Sequence, residues 1–495
     1  MKQKRLALLM LDGYGLSLSW QGNAIASAKP VEFERLWNSY RHVPLLPCLK
    51  PEDKIERNFF PELSHSFIGL SKNVCSNKEF VDSEMYGDFL GNQRLSSVFA
   101  YAKQHSSSLH VMGNLSNHGE IGAGNQIEGV LKLAKLSKID RIYIHLIVDE
   151  SYFSADEVKS SLLKFEEIVE SHKLGEIASL CGERYFRDQS LWQKAVRGIF
   201  GNSADRALSL GQAVARQTEL LVENYSPILI GSDPRRIFSD FDVLVLTNHT
   251  NDRIAEFVRH NLVGRSVVLP KFSIVIALTS VLNVRNDQLP VALRRSQDDF
   301  LVQELKLKNK RISLLTLKPD EHSFICRFAG TDDYDSYQTV DCNYGSLTPS
   351  STSSVIEKFF GNLRTQIENS ENDAIFAHFG ALPAACRVGD FGLVKSVVAA
   401  IDEKLPALEK AALESNTTLV IVSPFGMAER MLARSKEKLD NYHCLPSDSH
   451  LPMVVISSAS KIDNSKSKGF VLTEIMKAKR DIRSVNAYVY NFFAK

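Results

Sequence analysis

The sequence predicts an α/β protein built from more than one domain, and three observations carry that expectation. Short apolar runs of strand length alternate with stretches of helical period, which is the pattern of a largely parallel sheet flanked by helices. The runs are apolar at nearly every position, as strands buried on both faces require. The chain has 495 residues, whereas a single core rarely grows past roughly 250–300 residues.

The strand candidates, in order, are Leu6–Leu11, Leu109–Met112, Arg141–Val148, Val243–Leu246, Ile312–Leu317, Ala374–Phe379, Leu419–Val422 and Met453–Ser457. Between them, Glu128–Leu136 places apolar residues at helical spacing, and Ser154–Val169 is charged and amphipathic. Leu393–Leu413 is periodic throughout and predicts one long helix. Ser346–Ser353 predicts a polar loop around Pro349, and the Ser/Lys-rich stretch Ser457–Ser467 another. Composition breaks at 71–78 and again near Asn286–Gln297.

Composition is that of a water-soluble globular chain: 44% hydrophobic, 24% charged, net charge +1. A balance so near neutral gives no electrostatic reason to expect nucleic acid or a membrane surface. Seven scattered cysteines, an odd number without a CxxC pair, fit a reducing, cytoplasmic compartment. The apolar run Leu6–Leu11 ends at Asp12-Gly13, which favours a buried strand over a signal peptide. No stretch reaches the roughly 20 apolar residues of a membrane span.

Local motifs go further. Leu9 to Tyr40 reads LMLDGYGLSLSWQGNAIASAKPVEFERLWNSY. The strand into Asp12-Gly13-Tyr14-Gly15, then Gly22-Asn23-Ala24-Ile25 and Phe33-Glu34-Arg35-Leu36-Trp37, resembles the start of the cofactor-independent phosphoglycerate mutases, a branch of the alkaline-phosphatase superfamily. The likeness continues in order through His110–Ser116, Arg141–Asp149, Gly182–Trp192 and Gly426–Glu429. It implies an alkaline-phosphatase-like parallel-sheet domain with a second α/β domain inserted. On this chain the split phosphatase-like domain would be 1–76 plus 293–495, and the inserted transferase-like domain 77–292. Both composition breaks fall near those joints.

The resemblance also implies a chemistry: a serine carries a phosphoryl group between the 3- and 2-hydroxyls of glycerate, helped by two manganese ions. Such ions need carboxylate and imidazole donors. Asp12 is in place, and His443 stands for the last family histidine. The family's serine, however, falls on Pro61, ahead of His65-Ser66-Phe67-Ile68-Gly69, with Ser64 and Ser66 nearby. Its aspartate and histidine ligands in the next motif fall on Pro383 and Arg387, and its Asp-His pair on Pro424 and Phe425. Proline and phenylalanine carry no donor atom, and arginine repels a dication.

The substrate positions have changed as well. The family histidine falls on Ile121, with His118 close by. Asp149-Glu150-Ser151-Tyr152 lacks an arginine and an aspartate of the family pattern. Of two paired arginines only Arg253 remains, the other being Thr250. Arg184, Arg253 and Lys318 are the residual phosphate-binding candidates.

The expectation is therefore a pseudoenzyme that acts by binding or scaffolding, without a cofactor, where the ancestral family uses manganese. Its partner would be a protein or a small phosphorylated ligand. Pro424 and Phe425 would pack the space left by the ions. The alternative is an active metal-dependent phosphotransferase of glycolysis, 3-phosphoglycerate to 2-phosphoglycerate, with ligands relocated to Asp12, His378, Asp390 and His443. His450 is a further candidate in the same loop region.

Overall fold

The computed structural model describes residues 4–47, 61–70, 92–115, 124–148, 155–200, 205–219, 225–247, 254, 257–264, 270–279, 288–293, 300–320, 324–330, 334–369, 371–435, 438–443, 446–462 and 480–494. The chain divides into two compact units, Met1–Val74 with Ser296–Lys495, and Cys75–Arg295.

The first unit is organised by a seven-stranded sheet. From edge to edge it runs Ser336–Val340, Ile312–Leu317, Ala374–Phe379, Arg5–Leu11, Thr417–Val422, Leu451–Ile456 and Arg41–Leu45. The first five strands are parallel, and the last two are antiparallel to their neighbours. Arg5–Leu11 is central and buried along its length except at Arg5. Successive side chains on a strand point to opposite faces. Ala7, Leu9 and Leu11 meet a core containing Phe33, Trp37, Phe359 and Val397. Leu6, Leu8 and Met10 meet another containing Phe67, Ile68, Phe324 and Val489.

The second unit also holds a seven-stranded, mainly parallel sheet, ordered Asp205–Ala207, Ile228–Ile230, Glu176–Gly182, Ile142–Val148, Leu109–Leu115, Val243–Leu246 and Ile274–Ala277. Its middle carries a buried polar chain. His145 Nδ1 lies 2.8 Å from Ser179 Oγ, His145 Nε2 lies 2.9 Å from His110 Nδ1, and His110 Nε2 lies 3.2 Å from Asp242 Oδ2. Phe238 stacks on both imidazoles, with ring centroids 4.2 Å apart in each case.

All eight strand candidates lie within or overlap strands; the α/β expectation holds. Two helical expectations need correction. Leu393–Leu413 is two helices, Phe391–Asp402 and Leu405–Glu414. Pro406 lacks the N–H that an unbroken helix would use and sits instead in the first turn of the second helix. Ser346–Ser353 is not a loop throughout: Pro349 opens the 21-residue helix Pro349–Asn369. Thr348 Oγ1 accepts from Ser351 N at 3.2 Å, so the serine and threonine residues serve as a helix start. Strands Arg41–Leu45, Glu176–Gly182, Ile274–Ala277 and Ser336–Val340 had no clear sequence signal; Arg41–Leu45, Ile274–Ala277 and Ser336–Val340 are sheet edges with fewer buried positions. The 71–78 break lies outside the described residues. No helix among the described residues is long and apolar enough to cross a membrane.

Candidate functional site

The carboxyl ends of the first unit's parallel strands converge on Asp12, where ligands of open α/β sheets usually bind. Met10 is in register with both His378 and Val422, and His378 with Thr316. Asp12 follows two residues after Met10, so it shares the face that carries Leu8 and Met10. The helix Pro61–Gly69 packs on that same face through Phe67 and Ile68 and delivers His65.

The result is a compact buried cluster. Asp12, His65 and His378 are each at most 5% exposed. Asp12 Oδ1 lies 2.9 Å from His65 Nε2, and Asp12 Oδ2 lies 2.9 Å from His378 Nε2. Thr316 Oγ1 lies 3.0 Å from the other nitrogen of His378, Nδ1, and fixes the ring. Phe324 stacks on His378 with centroids 5.0 Å apart, and Phe425 meets His65 edge-on at 6.3 Å. Burial pushes the Asp12 carboxyl up, but the charge and hydrogen bonds of His378 and His65 outweigh it and hold the group well below the usual carboxylate range. Burial pulls His378 down, and the Asp12 carboxylate, with Asp320 beyond it, more than reverses that.

Asp320 is a neighbour that the sequence did not single out. It accepts a hydrogen bond from the Tyr344 hydroxyl, and burial raises its carboxyl. A side chain at Gly380 would collide with it.

The loop after Asp12 is fastened to the turn 423–429. Gly13 has φ +77, and a Cβ there would press on Pro383 at 3.2 Å. Gly13 O accepts from Met427 N at 3.1 Å and Ala428 N at 2.9 Å. Glu429 Oε2 accepts from Gly15 N at 3.1 Å and Met427 N at 2.8 Å, while Oε1 takes the Ser447 hydroxyl. Ser423 Oγ accepts from Tyr14 N at 3.2 Å and donates to Phe425 O at 2.7 Å.

The sequence-derived candidates fare differently. Pro383, Pro424 and Phe425 are buried around this turn, and Arg387 is exposed in the last turn of helix Ala381–Val388. Pro61 is the first residue of the His65 helix. Asp390 does not join Asp12: its Oδ1 accepts from Leu393 N at 2.9 Å as the cap of helix Phe391–Asp402, which corrects its place among relocated ligands. His443 is not in a loop; it ends strand Lys438–His443, paired with Leu432 in a two-stranded hairpin. His450 O accepts from Leu16 N at 2.7 Å, and burial lowers its imidazole pKa. Lys318 is exposed and pairs with Asp341 at 3.3 Å. Arg184 is exposed at the start of helix Arg184–Arg187 in the other unit. Arg253, Thr250, His118, Ile121 and 149–152 lie outside the described residues. His65 had served only as a motif landmark in the sequence; an imidazole within a helix gives no sign that it turns toward an aspartate 53 positions away.

Comparison with known proteins agrees with this architecture. Residues 82–271 match the family model of the BPG-independent PGAM N-terminus. A 2,3-bisphosphoglycerate-independent phosphoglycerate mutase from Clostridium perfringens (strain SM101) is 28% identical over 55% of this chain, a match that spans about half, 54%, of that relative's length. One from Clostridium tetani is 22% identical over 95% of this chain and 94% of its own. The crystal structure of Leishmania mexicana phosphoglycerate mutase at low cobalt concentration is similar with a TM-score of 0.72 and 18% identity, over 99% of this chain and 95% of that one. The fold is alkaline-phosphatase-like with a second domain. The chain is thus similar to phosphoglycerate mutases over nearly its whole length.

Proposed function

We propose that this chain is a phosphoglycerate mutase-like protein that has lost the two-ion phosphoserine chemistry and works by binding, with a small phosphorylated ligand or a protein as partner. One observation carries the reading. The positions that resemble the family's nucleophile and ligands hold Pro61, Pro383, Pro424 and Phe425, which offer no donor; Pro383 is buried in helix Ala381–Val388, and Pro424 and Phe425 in the turn 423–429. Two manganese ions need two sets of oxygen and nitrogen donors. Among the described residues only Asp12, His65 and His378 bring three such donors together. The described side chains therefore do not fit an ion pair.

The direct test incubates the protein with 3-phosphoglycerate and excess manganese, then assays 2-phosphoglycerate. We expect none above the uncatalysed background; turnover at the ordinary enzymatic scale of about 1–1000 per second would overturn the proposal.

A second reading, an active phosphotransferase with a relocated nucleophile, has one observation in its favour. Ser64 Oγ is fully buried without a hydrogen-bond partner, one turn along the helix from Pro61 and next to His65. Phosphate found on Ser64 after incubation with 3-phosphoglycerate would establish that reading.

A further inference from the structure

We propose that Asp12, His65 and His378 form a binding site for one divalent ion of the zinc type, a centre of different composition and number from an oxygen-rich manganese pair. It deepens the binding reading and rests on it only for the count of ions.

The argument starts from donor convergence. The ligand atoms of the three residues all lie within 4.8 Å of one another, and all three residues are buried. Two of the separations are 2.9 Å. Ligands bound at about 2.0–2.1 Å from one ion sit roughly 3.0–3.4 Å from each other; the two 2.9 Å pairs use different oxygens of Asp12, and the ligand atoms, all within 4.8 Å of one another, draw together around the ion. Two Nε2–H groups donating to the carboxylate satisfy the same geometry; to bind the ion each neutral ring carries its proton on Nδ1 and offers the Nε2 lone pair, with Thr316 Oγ1 placed to accept from Nδ1–H of His378. A single histidine would have sufficed to pair Asp12; the second gives the cluster a ligand set.

The surroundings fit an ion as well. A metal-binding imidazole usually has its other nitrogen held by a polar partner, and Thr316 does this for His378 at 3.0 Å. Phe324 and Phe425 against the two rings keep the centre dry, which strengthens a charge interaction. Donor chemistry sets the class of ion. Two imidazoles and one carboxylate favour zinc, cobalt or nickel, whereas manganese and magnesium prefer sites dominated by oxygen. Three protein donors leave a position for a non-protein ligand, as in open zinc sites.

The test uses the full-length, chelator-stripped protein without a tag, titrated with zinc chloride or cobalt chloride. We expect one equivalent of zinc, bound at least 100-fold more tightly than manganese in competition, and visible absorption from the cobalt form. Asp12→Asn, His65→Gln and His378→Gln should each weaken zinc at least 100-fold, while His110→Gln in the other unit should not. Should those variants fail to fold, Thr316→Val removes only the partner of His378 and should weaken zinc about 10-fold. Zinc should also raise the melting temperature of the native protein. Absence of uptake by the folded native protein, or uptake unaltered by these substitutions, would overturn the site and leave the proposed function standing. Two equivalents held near Asp12 would overturn both.

Discussion

His145 shows how much a single buried residue can impose. It stands between Ser179 and His110, and the chain ends on Asp242, which also accepts from Ser108 N at 2.9 Å and Ser239 N at 2.8 Å. With Asp242 accepting from His110 Nε2–H, each imidazole can accept on its other nitrogen, from His145 Nε2–H and from the Ser179 hydroxyl, with both rings neutral. Burial, with the neighbouring His110, lowers His145 well below 6.5; burial also lowers His110, outweighing the opposing pull of Asp242. The unfolded chain therefore takes up protons at these sites before the folded one does. Their stabilising effect is complete above about 6.5 and declines as pH falls through that value toward the folded pKa values. Burial raises Asp242, but His110 and two backbone amides lower it further, so it too loses stability in acid, at lower pH. His145→Gln should flatten the fall of melting temperature between pH 7 and 5.5; equal slopes in variant and native protein would contradict this account. At this scale the sequence was only partly legible. Asp12 and the donor-free Pro383, Pro424 and Phe425 stood out because a known pattern surrounds them. His65 turning to Asp12, and His145 to His110, depend on contacts between distant segments, for which a single residue type carries no signal.

At the scale of elements, the turn 423–429 supports the candidate site. Glu429 ties Gly15 N, Met427 N and the Ser447 hydroxyl from a fully buried position, and burial raises its carboxyl against those hydrogen bonds. Glu429→Ala leaves Gly15 N and the Ser447 hydroxyl without their acceptor, while Met427 N keeps Gly13 O. Each unsatisfied buried group costs about 1–3 kcal/mol, so the variant should lose roughly 2–5 kcal/mol by denaturant unfolding. A loss below about 0.5 kcal/mol would mean that the turn is held elsewhere. Element boundaries illustrate what local pattern can tell. The apolar run Leu6–Leu11 could be placed closely because a central parallel strand is apolar on both faces. The periodicity over Leu393–Leu413 was real, yet Pro406 divides it, and a loop-like Ser/Thr run became the start of helix Pro349–Asn369. In both cases proline chemistry decided the boundary against the broader pattern.

For the whole molecule, two seven-stranded sheets, one in each compact unit, give this chain a fold similar to that of Leishmania mexicana phosphoglycerate mutase. The fold is specified by buried strands and glycine turns such as Gly13, none of which requires the family's ions. On the proposed reading, the fold persists while the chemistry of its site changes. The central claim is that no ion pair can be held here. Manganese titration of the chelator-stripped protein by calorimetry, with and without 3-phosphoglycerate, tests it most directly. The account predicts at most one weak equivalent, unchanged in number by the phosphorylated ligand. Two equivalents at micromolar affinity or better would contradict it and require a second donor set.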